Sequence, residues 1–342
     1  MAGDMRVAVI GLGFMGLTHL KAWKQIKDAE IAAIVSADPR VLEGDLSHIQ
    51  GNMDTGSTPV DISGVARLAE PLDAIRMPGI DVVDICLPTS MHAAVTLAAL
   101  EQGQHVLVEK PMALDEHECQ RMIEAARTAG KTLMCAQVLR FFPAYKALME
   151  AVRGGTLGTV RHALFRRRCA APKWSAWLSR KEVSGGGVFD LLIHDIDMAL
   201  LLFGKPAAIR AAGREDLEKG IDVMTAMLTY PGGLTVEITG GWHLPSSYPF
   251  SMEYTVTGDH GVMEYSSANP ETPCQYGAAG ETKPPLEPID GYLAEVEYFV
   301  DCVRTGAAPK RCTPESSAEA VKLARLLEAA RGSQGESIPC QI

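Results

Sequence analysis

Three stretches of the chain carry residue types suited to chemistry, each set where an ordinary core would exclude them. The first is GGGVFDLLIHDID at 185–197, an apolar run holding Asp190, His194, Asp195 and Asp197. At roughly 100° per residue, positions 190, 194 and 197 share one helical stripe, and 195 points away from it. A histidine with a carboxylate one turn earlier suits general-base work: Asp190 orients the ring and His194 moves the proton. The competing reading is a satisfied core histidine. Asp197 is expected to support His194 from the same stripe, and Asp195 to be structural. The second stretch ends at Lys110, which closes an apolar run between Glu109 and Pro111. Its ammonium either snorkels to the surface or faces the ligand edge of the sheet.

The third stretch is GLGFMG at 11–16, in which Gly11, Gly13 and Gly16 spell GxGxxG. The pattern is short, but it follows an apolar run and opens a helix, the context that gives it meaning. Gly11 permits a tight turn, Gly13 lets backbone approach a pyrophosphate, and Gly16 lets the helix pack closely. The first helical residues, Phe14 and Met15, belong to the turn whose N–H groups would face the anion. About 20 residues further on, where an acid would take the ribose hydroxyls of NAD, stands Ser36, with Asp38 and Arg40 behind it. Ser36 removes a carboxylate that would repel a 2′-phosphate, Arg40 attracts one, and Asp38 does the opposite. The balance favours NADP over NAD.

The elements that position these groups alternate. Apolar strands are expected at 6–10, 30–37, 80–88, 105–111 and 132–138, with helices from 14, from 41, and over 91–103 and 115–129. Continuous apolar strands between amphipathic helices predict a parallel sheet covered on both faces. Gly11, Ser36, Pro88, Thr89 and Lys110 all fall at carboxyl ends of strands, the edge where such sheets bind ligands. Beyond 140 the pattern changes. A helix at 143–153, the strand VRHALFRRR, the glycine-led helix and a hairpin around Pro231-Gly232-Gly233 predict an α+β domain with a large open, mostly antiparallel sheet. Val236 and Ile238 are expected on one face, Thr235, Glu237 and Thr239 on the other. Further strands at 250–265, an irregular loop at 268–288, and helices at 289–304 and 314–331 complete it. The expected domains are 1–138 and 139–342.

Composition narrows the function. A formal net charge of −10 argues against a nucleic-acid partner. The one basic cluster, Arg166-Arg167-Arg168, reads as a solvated strand edge, or less readily as an anion contact. Eight cysteines lie without CxxC pairs, so no metal site is expected, and free thiols imply a reducing, cytoplasmic compartment. No apolar run approaches the roughly 20 residues of a membrane span.

In GLGFMG (11–16), PTSMH (88–92), HVLVEKPMA (105–113), GGTLGTV (154–160) and GGGVFDLLIHDID (185–197), taken in this order, the chain resembles the glucose–fructose oxidoreductase/inositol dehydrogenase family of NAD(P)-dependent enzymes. The resemblance runs over nearly the whole length. It implies a Rossmann domain followed by a sheet domain through which homodimers or homotetramers form. It adds Pro88, Thr89, His92, Glu109 and Lys110 to the cofactor residues, and makes Lys110, Asp190 and His194 the catalytic set. The family's acid after the second strand has no counterpart at Ser36, so cofactor choice does not carry over. The implied activity is hydride transfer between a sugar, sugar-derivative or cyclitol carbinol and nicotinamide, with Asp190 and His194 at the substrate. Trp174 and Trp177 offer an apolar wall for a sugar ring or ordinary packing. Two other functions stay open: an NAD-dependent glycosidase of the same family, and a non-catalytic dinucleotide-binding regulator.

Overall fold

The apolar runs of the first half form strands buried on both faces, as their near-continuous Val and Ile content requires. The computed structural model describes residues 4–51, 60–172, 176–333 and 335–342. β1 (Met5–Ile10) leads to α1 (Phe14–Trp23), β2 (Ala29–Val35) and α2 (Pro39–Glu43). Then come β3 (Ala66–Leu68), α3 (Pro71–Ile75), β4 (Val82–Ile85), α4 (His92–Glu101), β5 (His105–Glu109), α5 (Glu116–Ala129) and β6 (Leu133–Ala136). The strand order is β3-β2-β1-β4-β5-β6, with every neighbouring pair parallel. The chain leaves β1 towards β2 on one side and returns to β4 on the other. The carboxyl ends of β1 and β4 therefore flank the topological switch point, and the glycine turn sits there. β3 and α3 carry no clear sequence signal, because a three-residue edge strand with a central arginine is too short to show a period.

The second unit contains α6 (Pro143–Arg153), β7 (Val160–Ala170), α7 (Lys181–Ser184), α8 (Gly187–Phe203), β8 (Ala208–Asp216), β9 (Ile221–Thr229) and β10 (Thr235–Leu244). β11 (Ser251–Gly258), β12 (Gly261–Ser266), β13 (Cys274–Gly277) and β14 (Gly280–Thr282) follow. After α9 (Gly291–Thr305) and α10 (Pro314–Gly332), β15 (Ile338–Pro339) closes a nine-stranded sheet ordered β14-β13-β12-β11-β7-β10-β9-β8-β15. All pairs are antiparallel except β7 with β10. Val236 and Ile238 are fully buried, while Thr235, Glu237 and Thr239 are partly exposed, as the alternation predicts. α8 packs on β7, β9 and β10. The stretch 268–288 is not wholly irregular. It holds the β13–β14 hairpin, whose two strands are too short to show through the surrounding Pro and Gly.

The chain forms two compact units, the first built on the residues up to Val138. Residues 290–318 pack with the first unit, and 139–289 with 319–342 form the second. The reason is α9, which buries Val296, Phe299 and Val300. Phe299 stands edge-on to Trp23 of α1, with ring centroids 6.4 Å apart. Amphipathic spacing says that a helix has a partner, not which one.

Candidate active site

The glycine turn has the geometry its spacing predicts. Gly11 has φ +102°, and a Cβ there would stand 2.5 Å from the Cys86 carbonyl oxygen, so only glycine fits. A Cβ on Gly16 would lie 2.0 Å from the Gly11 carbonyl oxygen, which shows how closely α1 packs on the turn. Gly13 differs: it is exposed, and a Cβ there would meet nothing within 4 Å. That open side lies at the start of α1, whose first turn carries no acid to oppose an anion. Phe14 and Met15 are partly exposed beside it. The turn fits the pyrophosphate of a dinucleotide.

At the end of β2, Ser36 is buried and its Oγ accepts the Asp38 N–H at 3.1 Å. Asp38 caps α2. Its Oδ1 accepts the Arg40 N–H at 3.0 Å, and its Oδ2 lies 3.0 Å from Arg40 Nη2 and 2.9 Å from His48 Nε2. Hydrogen bonds from Arg40, side chain first and backbone second, hold the Asp38 carboxyl down to about 2. The carboxylate is ionised, but protein donors already occupy both oxygens. It is a weaker acceptor for ribose hydroxyls than its position in the sequence suggests.

Lys110 follows β5 and is partly exposed. Its backbone N–H donates to Glu109 Oε2 at 2.9 Å. On the far side of the Lys110–Pro111 bond, which is cis, the Pro111 carbonyl lies 2.9 Å from His92 Nδ1. His92 Nε2 lies 2.8 Å from the Leu87 carbonyl. Burial lowers the His92 pKa, so the ring is neutral and donates to one of these carbonyls at a time. His92 and Glu109 are 1% and 5% exposed. Both face protein groups and hold the segment around Lys110. Thr89 is buried and Pro88 partly exposed.

In the second unit, α8 starts where side chains have no room. Cβ atoms on Gly186 and Gly187 would stand 2.7 Å from Asp222 Oδ2 and 2.4 Å from the Trp242 ring. Asp222, buried on β9, accepts the Val188 N–H at 3.0 Å and is held on its other oxygen by Arg331 Nη1 at 2.5 Å. The helix then buries two of its acids. Asp195 receives Arg167 Nε and Nη2 at 2.8 and 3.0 Å. Burial pushes its carboxyl up, and Arg167 opposes the shift. Asp197 receives both Nε, at 2.8 Å, and Nη2 of Arg140. Asp190 and His194, one turn apart, remain partly exposed.

Several expectations change here. Asp197 is buried against Arg140, a partner that helical spacing does not reveal. The arginine run is no solvated edge, because β7 is an inner strand of the sheet. Arg167 points into the core, while Arg166 and Arg168 share Glu253 on the other face. Trp177 packs against a cluster of Cys169, Leu178, Leu191 and Trp242. Trp174 lies outside the described residues. The glycine turn and Lys110 belong to the first unit, Asp190 and His194 to the second. The sequence reading passed over His19, Asp84, Arg140 and Asp222. Only Asp84 carries a signal, a carboxylate in the middle of the apolar run IDVVDICLP.

Comparisons with known proteins agree with this layout. The family model "Oxidoreductase family, NAD-binding Rossmann fold" matches residues 5–137. The "GFO/IDH/MocA C-terminal domain" model matches residues 145–264. Myo-inositol 2-dehydrogenase of Thermotoga maritima is 29% identical over 319 residues, covering 89% of this chain and 90% of its own. Mouse trans-1,2-dihydrobenzene-1,2-diol dehydrogenase is 31% identical over 278 residues, 77% and 80% of the two chains. The crystal structure of aldose-aldose oxidoreductase from Caulobacter crescentus superposes with a TM-score of 0.81 at 23% identity, over 98% of this chain and 100% of its own, and shows a shared fold.

Proposed function

The chain belongs to the GFO/IDH/MocA oxidoreductase family, and we propose that it moves a hydride between a ring-polyol carbinol and a nicotinamide dinucleotide. The observation that carries this reading is the division of labour along α8. Asp195 and Asp197 are buried against arginines, while Asp190 and His194 are held one turn apart and partly exposed. A helix that only had to fold would need neither. A dinucleotide-binding regulator would need neither as well, and would have no use for Lys110.

In the oxidation direction, His194 takes the hydroxyl proton. Asp190 orients the ring and accepts from a neighbouring substrate hydroxyl. Lys110 stabilises the developing alkoxide. Gly11, Gly13, Gly16 and the first turn of α1 hold the pyrophosphate; bound nicotinamide supplies the hydride acceptor. The Arg40 guanidinium, paired with Asp38 but 57% exposed, is the charge that the end of β2 presents to a 2′-phosphate, which supports NADP as the preferred form.

The two relatives named above act on inositol and on a dihydrobenzene diol, both six-membered rings with adjacent oxygens. This supports a substrate with vicinal hydroxyls on a ring: a sugar, a sugar derivative or a cyclitol. Eight free cysteines support a reducing, cytoplasmic setting, and among the described residues no helix is long and apolar enough to cross a membrane. The sheet face carrying Thr235, Glu237 and Thr239 is the surface we assign to a homodimer or homotetramer. The test is a screen of sugars, cyclitols and sugar acids with each cofactor, followed by nicotinamide absorbance. Reduction by at least one polyol is expected. Glycoside cleavage without consumption of added cofactor would point instead to the glycosidase.

A further inference from the structure

His19, on α1, is fully buried, with a carboxylate at each ring nitrogen. Nδ1 lies 2.9 and 3.1 Å from the two oxygens of Asp84, and Nε2 lies 3.0 Å from Glu109 Oε1. Asp84, in the middle of β4, also accepts the Trp23 Nε1–H at 2.7 Å and faces the Cys86 thiol at 3.7 Å. Glu109, the last residue of β5, uses its second oxygen to accept the Lys110 N–H. The Tyr292 ring of α9 is tilted 53° to the imidazole, with centroids 6.5 Å apart.

Ionised carboxylates only accept hydrogen bonds. A ring with one at each nitrogen must donate from both, and a doubly donating imidazole is the cation. Burial works against that charge, but the charge and hydrogen bond of Asp84, with the neighbouring Cys86, together outweigh it and His19 is raised well above the ordinary histidine value. Glu109 moves the other way: burial would raise it, but the hydrogen bond and charge of His19, with those of Lys110, together prevail and its carboxyl is lowered.

A metal is the rival reading, since ligand atoms of His19, Asp84 and Cys86 all lie within 4.8 Å of one another. The ring–carboxylate separations, however, are hydrogen-bond lengths. Burial also pushes the Cys86 thiol far up, away from the thiolate that a metal would require. The cluster is a hydrogen-bonded ion network.

We infer that His19 is a positioning residue for Lys110: as an imidazolium bridging Asp84 and Glu109, it fixes the carboxylate that holds the Lys110 backbone. The path runs from Trp23 and Asp84 through the ring to Glu109 and the Lys110 N–H. His92 Nδ1 lies 2.9 Å from the Pro111 carbonyl, one residue on. The lysine's backbone N–H is thereby fixed at the end of its strand, which gives a long flexible side chain a defined origin. This rests on the proposed role of Lys110.

The test is a double-mutant cycle with two readouts. His19→Gln is expected to lower kcat about 10- to 100-fold through misplacement of Lys110, while the Kd for NADP moves less than about threefold. In a Lys110→Ala background the same substitution should cost less than about twofold. Nearly isosteric Glu109→Gln should reproduce the loss, and carries the cycle if His19→Gln does not fold. Nitrogen NMR of isotope-labelled histidine should show both His19 nitrogens protonated at neutral pH. Equal losses in both backgrounds, wild-type kcat in His19→Gln, or a neutral His19 ring would overturn the inference. Failure of the inference alone appears as an inactive Lys110→Ala beside a fully active His19→Gln. Full turnover by Lys110→Ala removes the premise and the inference together.

Discussion

Arg140→Met should unfold the second unit far more readily than wild type, because it leaves the Asp197 carboxylate buried without its counter-charge. Arg140 and Asp197 are 3% and 1% exposed, and two guanidinium nitrogens meet two carboxylate oxygens. Removing one partner of such a pair costs about 3–5 kcal/mol, mostly as the penalty for the stranded charge. With a urea m-value of about 2–3 kcal/mol/M, the midpoint should fall by about 1–2.5 M. Circular dichroism across a urea series reads this directly. The control is Arg140→Met with Asp197→Leu. Deleting both charges should recover most of the loss, since a buried pair is often no more stabilising than apolar residues of similar size. A shift below about 0.3 M, or a double variant no better than the single one, would show that no buried charge is stranded when Arg140 is removed.

Three other outcomes follow from the site. Arg40→Ala should weaken NADP binding by about tenfold or more and leave NAD nearly unchanged, as fluorescence titration would show; a loss confined to NAD would make Asp38 the acting acid. Oxidation should decline on the acid side, where imidazole cannot take a proton. His194→Ala should remove that limb, and Asp190→Asn combined with it should lose much less than the product of the single losses. His19 should make stability depend on pH with a definite sign. Its folded-state pKa is raised, so the stability it adds is full below about pH 6.5 and declines as pH climbs through the raised value. The gap between wild type and His19→Gln in urea midpoints should therefore narrow towards alkaline pH; a widening gap would contradict the imidazolium.

How far the sequence reaches depends on whether a signal is local. GxGxxG after an apolar run is local, and Gly11, Gly13 and Gly16 stand as the spacing requires. The same holds for Val236 and Ile238, because strand alternation needs no knowledge of partners. Asp195 was separable from Asp190 and His194 by helical angle alone. Asp197 was not, because its fate depends on Arg140, 57 positions away. Likewise three adjacent arginines look solvated until β7 proves to be an inner strand and Arg167 finds Asp195. His19 carries no local signal, since a histidine inside a helix becomes informative only once Asp84 and Glu109, on two other elements, close around it. Long-range pairing of charges, rather than periodicity, separates what was legible from what was not.

Hydride transfer can be followed by the atom that moves. A ring polyol that reduces the cofactor in the screen, deuterated at its reacting carbinol carbon, should give ketone and deuterated reduced nicotinamide in equal amounts with wild type, by mass spectrometry. His194→Ala should bind the cofactor as well as wild type and transfer almost none of the label. Label lost to water, glycoside cleaved with the cofactor returned unreduced, or full transfer by His194→Ala would contradict the account.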